Sequence, residues 1–242
     1  MFNLRRFLSS LVTFLCLIWF NSVTAKELIL ATSKSIPPYI VEHDSSGIQL
    51  ERVKKVFQLS NHSIKKIIFT SNKRAEILLY QKKVDAIINA PNNSENMFFS
   101  DPVIFYQNTA ISLSSNHIYL TDIAGLSDVR VMAFQNARKY LGDQFRHAVN
   151  QSPAYDEAVN QQAQLEHLFL KNTDVIILDR RIFDHFNKLY EASGRFPKPV
   201  TFHPIFPKSP RILGFHNEAL RNEFNEGLKA LLLIERTFPT SK

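Results

Sequence analysis

Cysteine and tryptophan occur once each in the 242 residues, and both, Cys16 and Trp19, fall within the first 25. There Arg5 and Arg6 precede an apolar run, Leu11 to Phe20, that ends in Val23-Thr24-Ala25. That is the pattern of a secretory signal cleaved before Lys26. An uncleaved N-terminal anchor is the alternative reading, although the run falls short of the roughly 20 apolar residues a spanning helix needs. Leu15 stands before Cys16 where a lipoprotein cysteine would follow a small residue. Once the segment is removed, disulfides, thiol nucleophiles and cysteine metal sites are all excluded.

Glycine is scarce as well: six in the whole chain, none within several residues of another, so no phosphate-cradling loop can be built. The eight histidines are dispersed, with no pair at helical ligand spacing. No glycine-serine-glycine nucleophile signature and no announced carboxylate pair is found, which speaks against an enzyme, although separated carboxylates can meet in a fold. No cofactor or metal is implied. The formal charge of +7 falls to +5 without Arg5 and Arg6, and no lysine or arginine block stands out. Dispersed positive charge favours a solvated surface and mildly favours anionic ligands, and nucleic acid is not an expected partner.

What is present is a repeat. Leu79-Tyr80-Gln81-Lys82-Lys83-Val84-Asp85-Ala86-Ile87-Ile88 matches Leu168-Phe169-Leu170-Lys171-Asn172-Thr173-Asp174-Val175-Ile176-Ile177 in polarity, position by position. Each copy reads as a helix end, a basic turn and a short apolar strand of the kind buried on both faces of a parallel sheet. Two similar α/β lobes follow, with a crevice between them as a natural place for a small molecule.

Leu28 to Ala31, Ser63 to Phe69 and Val84 to Ile88 are the expected strands of the first lobe. A helix from Ile48 to Phe57, capped by Ser45 or Ser46, and another from Lys73 to Gln81 separate them. Ile104 to Leu113 is expected as one extended crossing into the second lobe. There Val129 to Phe134 and Asp174 to Leu178 are strands, and Ala137, Tyr140, Leu141 and Phe145 form one helix stripe. Arg211 to Phe215 returns as a strand, and a last helix, Asn217 to Glu235, packs Leu220, Phe224, Leu228 and Leu231 on the first lobe.

Pro37-Pro38-Tyr39 after the first strand, Gly47 through Phe57, Lys83 to Ile88, Phe99-Ser100-Asp101-Pro102 and the run to Ile177-Leu178-Asp179 keep an order that resembles family 3 extracellular solute-binding proteins. These include the amino-acid receptors of ABC transporters. The resemblance spans essentially the whole mature chain. It implies a two-lobed periplasmic-binding-protein-like fold, α/β, each lobe a mostly parallel sheet flanked by helices, joined by a two-segment hinge. The expected division is a signal peptide at 1–25, a first lobe at 26–112 plus 212–242, and a second at 113–211.

The function implied is capture of a small polar metabolite between the lobes in the periplasm, without catalysis, for an inner-membrane ABC permease. Read-out by a membrane receptor is the alternative. A dehydratase-like enzyme using Glu95 and Asp179 is a third reading. A monomer is expected. Tyr39 matches an aromatic that lies against the ligand, or else a core tyrosine. Asp179 matches the acceptor of a ligand amino group, or else pairs with Arg180 or Arg181. Asn89, Ala90 and Asn92 match a ligand-contacting loop. Gln135 and Asn136 stand at a helix start able to dock an anion, or Asn136 is simply a cap. Family members that bind amino acids carry an arginine before the phenylalanine-serine pair, where this chain has Ser94-Glu95-Asn96-Met97. Arg74 is the nearest first-lobe candidate to replace it.

Overall fold

The computed structural model describes residues 25–91 and 96–238. The signal-like segment through Thr24, the candidate contact Asn92 and the candidate acid Glu95 lie outside the described residues.

The first lobe opens with β1 (Glu27–Thr32), α1 (Ile48–Leu59), β2 (Ser63–Phe69), α2 (Asn72–Tyr80) and β3 (Ala86–Ile88). Both β2 and β3 pair parallel to β1, as strand-helix-strand connections require. Helix α1 buries Gln49, Leu50, Val53, Val56 and Phe57, while Ile48 is exposed, so the buried stripe begins one residue later than the apolar pattern suggests. Its N-cap is Gly47, with no side-chain cap from Ser45 or Ser46. The short β4 (Phe98–Phe99) completes the outward path.

The chain then crosses over. β5 (Ile104–Tyr106) ends one residue before β6 (Asn108–Leu113), and the two belong to different sheets. The second lobe continues through β7 (Val131–Phe134), α3 (Ala137–Tyr140), α4 (Gly142–Gln151), β8 (Tyr155–Ala158), α5 (Gln161–Phe169), β9 (Val175–Asp179), α6 (Arg180–Ala192) and β10 (Val200–His203). The chain returns through β11 (Ser209–Arg211), β12 (Leu213–Phe215) and α7 (Glu218–Thr237).

Among the described residues two five-stranded sheets result, in the orders β2-β1-β3-β12-β4 and β10-β6-β9-β7-β8. Between them β5 and β11 form a separate antiparallel pair, the two-segment connection. β6, from Asn108, pairs with β9 and β10 in the second sheet, whereas the expected first lobe runs to residue 112. The helix expected through Ala137, Tyr140 and Phe145 breaks at Gly142, whose φ of 85° only glycine adopts freely, and Tyr140 is left exposed.

The repeat has a structural counterpart. Lys82 and Lys171 both turn the chain with positive φ, 54° and 63°. Asp85 then accepts the backbone N–H of Ile29 at 2.8 Å, and Asp174 that of Arg130 at 2.9 Å. Each aspartate also takes a cation, Lys26 Nζ in the first lobe and the Arg130 guanidinium in the second, both at 2.7 Å. One device thus ties each incoming strand to its parallel neighbour twice over. Helix α7 returns to the first lobe, burying Leu220, Phe224, Leu228 and Leu231 against α1. The approach is close: a Cβ on Gly227 would lie 2.5 Å from the Val56 carbonyl oxygen.

Candidate functional site

Tyr39 hangs on a loop that the chain fixes at both ends. Backbone bridges Ile36–Ile40 and Val41–Ser46 fold the segment on itself, and the Tyr39 carbonyl accepts the N–H groups of Gln49 and Leu50 at the start of α1. Gly47 has φ 115°, and any Cβ there would sit 2.4 Å from the Tyr39 carbonyl oxygen. Glycine is therefore demanded by the tyrosine's placement.

The side chain of Tyr39 is fully buried between the lobes. Its ring stacks on Tyr106 of β5 with centroids 3.9 Å apart, and its hydroxyl donates to Asp179 Oδ1 at 2.8 Å. Tyr106 in turn donates to Gln49 Oε1 at 2.8 Å, and Gln49 Nε2 donates to Asn89 Oδ1 at 2.8 Å. First lobe, crossing strand and second lobe are thus joined by one polar network inside an apolar surround, where hydrogen bonds are strong and missing ones costly. Burial, followed by the charge of Asp179, pushes the Tyr39 hydroxyl well above its ordinary range, with Arg181 opposing. Burial likewise raises Tyr106. Both phenols are held as donors.

Asp179 is filled by its own chain. It ends β9 and caps α6, accepting from the N–H groups of Arg181 at 2.9 Å and Ile182 at 3.3 Å. Its other oxygen accepts the Gln107 N–H at 2.6 Å. With Tyr39 included, four donors surround a carboxylate that is 2% exposed. An ammonium group arriving here would have to displace Tyr39. A direct pair with Arg180 is not formed, since Arg180 lies over the Phe202 ring and faces Asp184.

The other expected contacts scatter. Asn89, with φ 61°, joins the network through Gln49, and Ala90 is buried behind it with its N–H on the Ile212 carbonyl. Gln135 and Asn136 are exposed, and the helix start they precede does not await an anion: Glu157 Oε2 accepts the Asn136 N–H at 2.7 Å and Oε1 accepts that of Arg138 at 3.1 Å. Nor does the Asn136 side chain cap it. Those backbone bonds and the Tyr155 hydroxyl overcome the opposing effect of partial burial and hold the Glu157 carboxyl below its ordinary range. Arg74 is exposed at the start of α2, and among the described residues its side chain makes no hydrogen bond or ion pair.

Sequence reasoning missed Gln49, Tyr106, Gln107 and Arg211, and named Arg181 only as a possible partner of Asp179. A glutamine inside the buried stripe of α1 was the legible sign for Gln49. Among the described residues, no group of three histidine, cysteine, aspartate or glutamate side chains is placed to hold a metal, and no helix is long and apolar enough to cross a membrane. A cavity of about 460 Å3 lies at Arg130, Lys171 and Asp174, and one of about 370 Å3 at Asn136, Tyr155 and Glu157; neither includes Tyr39 or Asp179.

No protein-family model matches the sequence, and no curated protein matches it. Solved structures do match in fold. An ancestral arginine-binding protein bound to arginine is 12% identical, with 90% of this chain covering 100% of that one at a TM-score of 0.63. The arginine-, lysine-, histidine-binding protein ArtJ from Geobacillus stearothermophilus is 13% identical, with coverage of 87% and 91% and a TM-score of 0.60. A histidine kinase sensor domain with similarity to periplasmic binding proteins is 10% identical, with coverage of 87% and 92% and a TM-score of 0.65. The fold is the two-lobed one of periplasmic binding proteins, α/β with each sheet flanked by helices.

Proposed function

We propose that this chain is an exported, non-catalytic solute-binding protein that grips one small polar ligand between its lobes and delivers it to an inner-membrane ABC permease. The observation that carries the reading is the polar network at the seam, where Tyr39, Gln49 and Asn89 of one lobe meet Asp179 of the other across Tyr106. Buried polar groups gathered where two lobes meet are the usual ingredients of a capture site. The ligand takes the place of the Tyr39–Asp179 bond on entry. Tyr39, Asn89 and Asp179 are its proposed contacts, and Asn92, outside the described residues, is a further candidate. The ancestral protein and ArtJ, both amino-acid binders by name, support ligand capture on this fold.

A thermal-shift screen of the protein against amino acids, polyamines, organic acids and short peptides tests this. A ligand bound only by the folded form raises the unfolding midpoint with its concentration. At least one class is expected to do so, and a midpoint unmoved by all of them would refute capture. A sensing role is the second reading, favoured by the sensor domain of a histidine kinase among the similar structures. A neighbouring permease gene would favour import over it.

A further inference from the structure

Among the described residues, the charges that act on the two seam tyrosines are more positive than negative. Two guanidiniums, Arg181 and Arg211, exert their charge on Tyr39 or Tyr106, against one carboxylate, Asp179. Arg181 is exposed at the start of α6. Arg211 is different. It sits on β11 opposite Ile104, so its side chain reaches diagonally across the two-strand connection and lies over the Tyr106 ring, 4.2 Å from its centroid. The residue is half-buried, its Nε is cut off from solvent without an acceptor, and among the described residues the guanidinium forms no ion pair. Asp179 is within electrostatic reach but is already filled by four other donors.

An aromatic face attracts a cation yet supplies no acceptor for its N–H groups. A partly desolvated guanidinium without an anion is costly to maintain, and a carboxylate is the group whose planar pair of oxygens fits its fork. Of the other anion positions expected from the sequence, Glu157 occupies the start of α3, and Arg74 stands apart on the surface.

We infer that Arg211, on the returning connection strand, is the anion-binding residue of the seam, and that the ligand is a small carboxylate held there against Tyr106. The inference rests on the capture reading above and names its ligand class. Placement on the connection adds a consequence. A carboxylate bound at Arg211 touches the segment about which the lobes turn, so occupancy is felt by both.

The test titrates pyruvate, L-lactate, succinate and L-glutamate, and the amide of each, into the protein, followed by thermal shift and calorimetry. At least one acid is expected to bind and its amide to bind about tenfold or more weakly. Arg211→Gln should lose about tenfold or more in affinity for that acid, Arg211→Lys should lose less, and Arg146→Gln, an exposed change on α4, should lose nothing. Circular dichroism checks that each variant is folded. In the wild type, the Nε–H resonance of Arg211 should shift on adding the acid, a readout that survives even if the variants misfold. An acid that binds without moving that resonance, or equally well in folded Arg211→Gln, would overturn the role of Arg211. Preference for amides, or for a polyamine run alongside, would overturn the ligand class while leaving capture intact. Failure of every compound, here and in the broader screen, would sink both.

Discussion

The two lobes are nearly alike where strands begin and unlike where they end. At the entry ends, Asp85 and Asp174 follow the same left-handed turn and perform the same task, each clasping a neighbouring strand's N–H and one cation. At the exit ends, Asn89 follows β3 and bonds a glutamine amide, whereas Asp179 ends β9 and presents its carboxyl group to the Tyr39 hydroxyl at the seam. The entry ends build the scaffold, and the exit ends carry the individual chemistry, as expected of open α/β sheets. A repeat read from sequence therefore reports on folding and is silent on ligand.

Breaking the exit end should cost most. Asp179→Ala strips the acceptor from four donors, and chemical denaturation should show a loss of about 3 kcal/mol or more. Asp85→Ala and Asp174→Ala should each cost about 1–2 kcal/mol, being partly exposed clasps, and should agree to within about 1 kcal/mol. A large inequality between them would mean that the repeat is only apparent. Tyr39→Phe keeps the stack on Tyr106 and loses one bond to a carboxylate, with an expected cost of about 1–2 kcal/mol in the same measurement.

The smallest effect separates the lobes by pH. His203 of β10 is buried, with its Nε2 2.9 Å from Ser112 Oγ and its Nδ1 facing the Leu120 N–H, and burial lowers its pKa below the ordinary 6.5. The unfolded chain then binds the proton more readily than the folded one. The contribution of the neutral ring is thus complete above about pH 6.5 and declines as pH falls toward the folded value. Unfolding midpoints should drop over that window, and the drop should be smaller in His203→Gln. His185, also in the second lobe and lowered by burial, adds in the same direction.

Much of the scaffold was legible because parallel strands buried on both faces leave short apolar runs that period alone reveals. β2 was expected at its observed bounds, and the buried face of α7 was read residue by residue. The crossing reads as one segment because Ile104 to Leu113 is extended throughout, although the polar run Gln107-Asn108-Thr109 interrupts it. What divides it is Gln107, whose N–H turns to Asp179, a partner 72 residues away that no local pattern contains. At the anion position expected at Asn136 the backbone donors meet Glu157, which arrives from another strand and is likewise absent from the local pattern. Arg211 looked like the polar start of a returning strand until β11 was laid against β5.

The central claim is that a small molecule is held where the two lobes meet. Backbone amide shifts of the isotope-labelled protein, recorded while the strongest compound of the thermal-shift screen is titrated in, test it most directly. Perturbations should concentrate at Tyr39, Gln49, Asn89, Gln107, Asp179 and Arg211 and reach both lobes. Shifts confined to one lobe, for instance around Arg130 and Lys171, would contradict it.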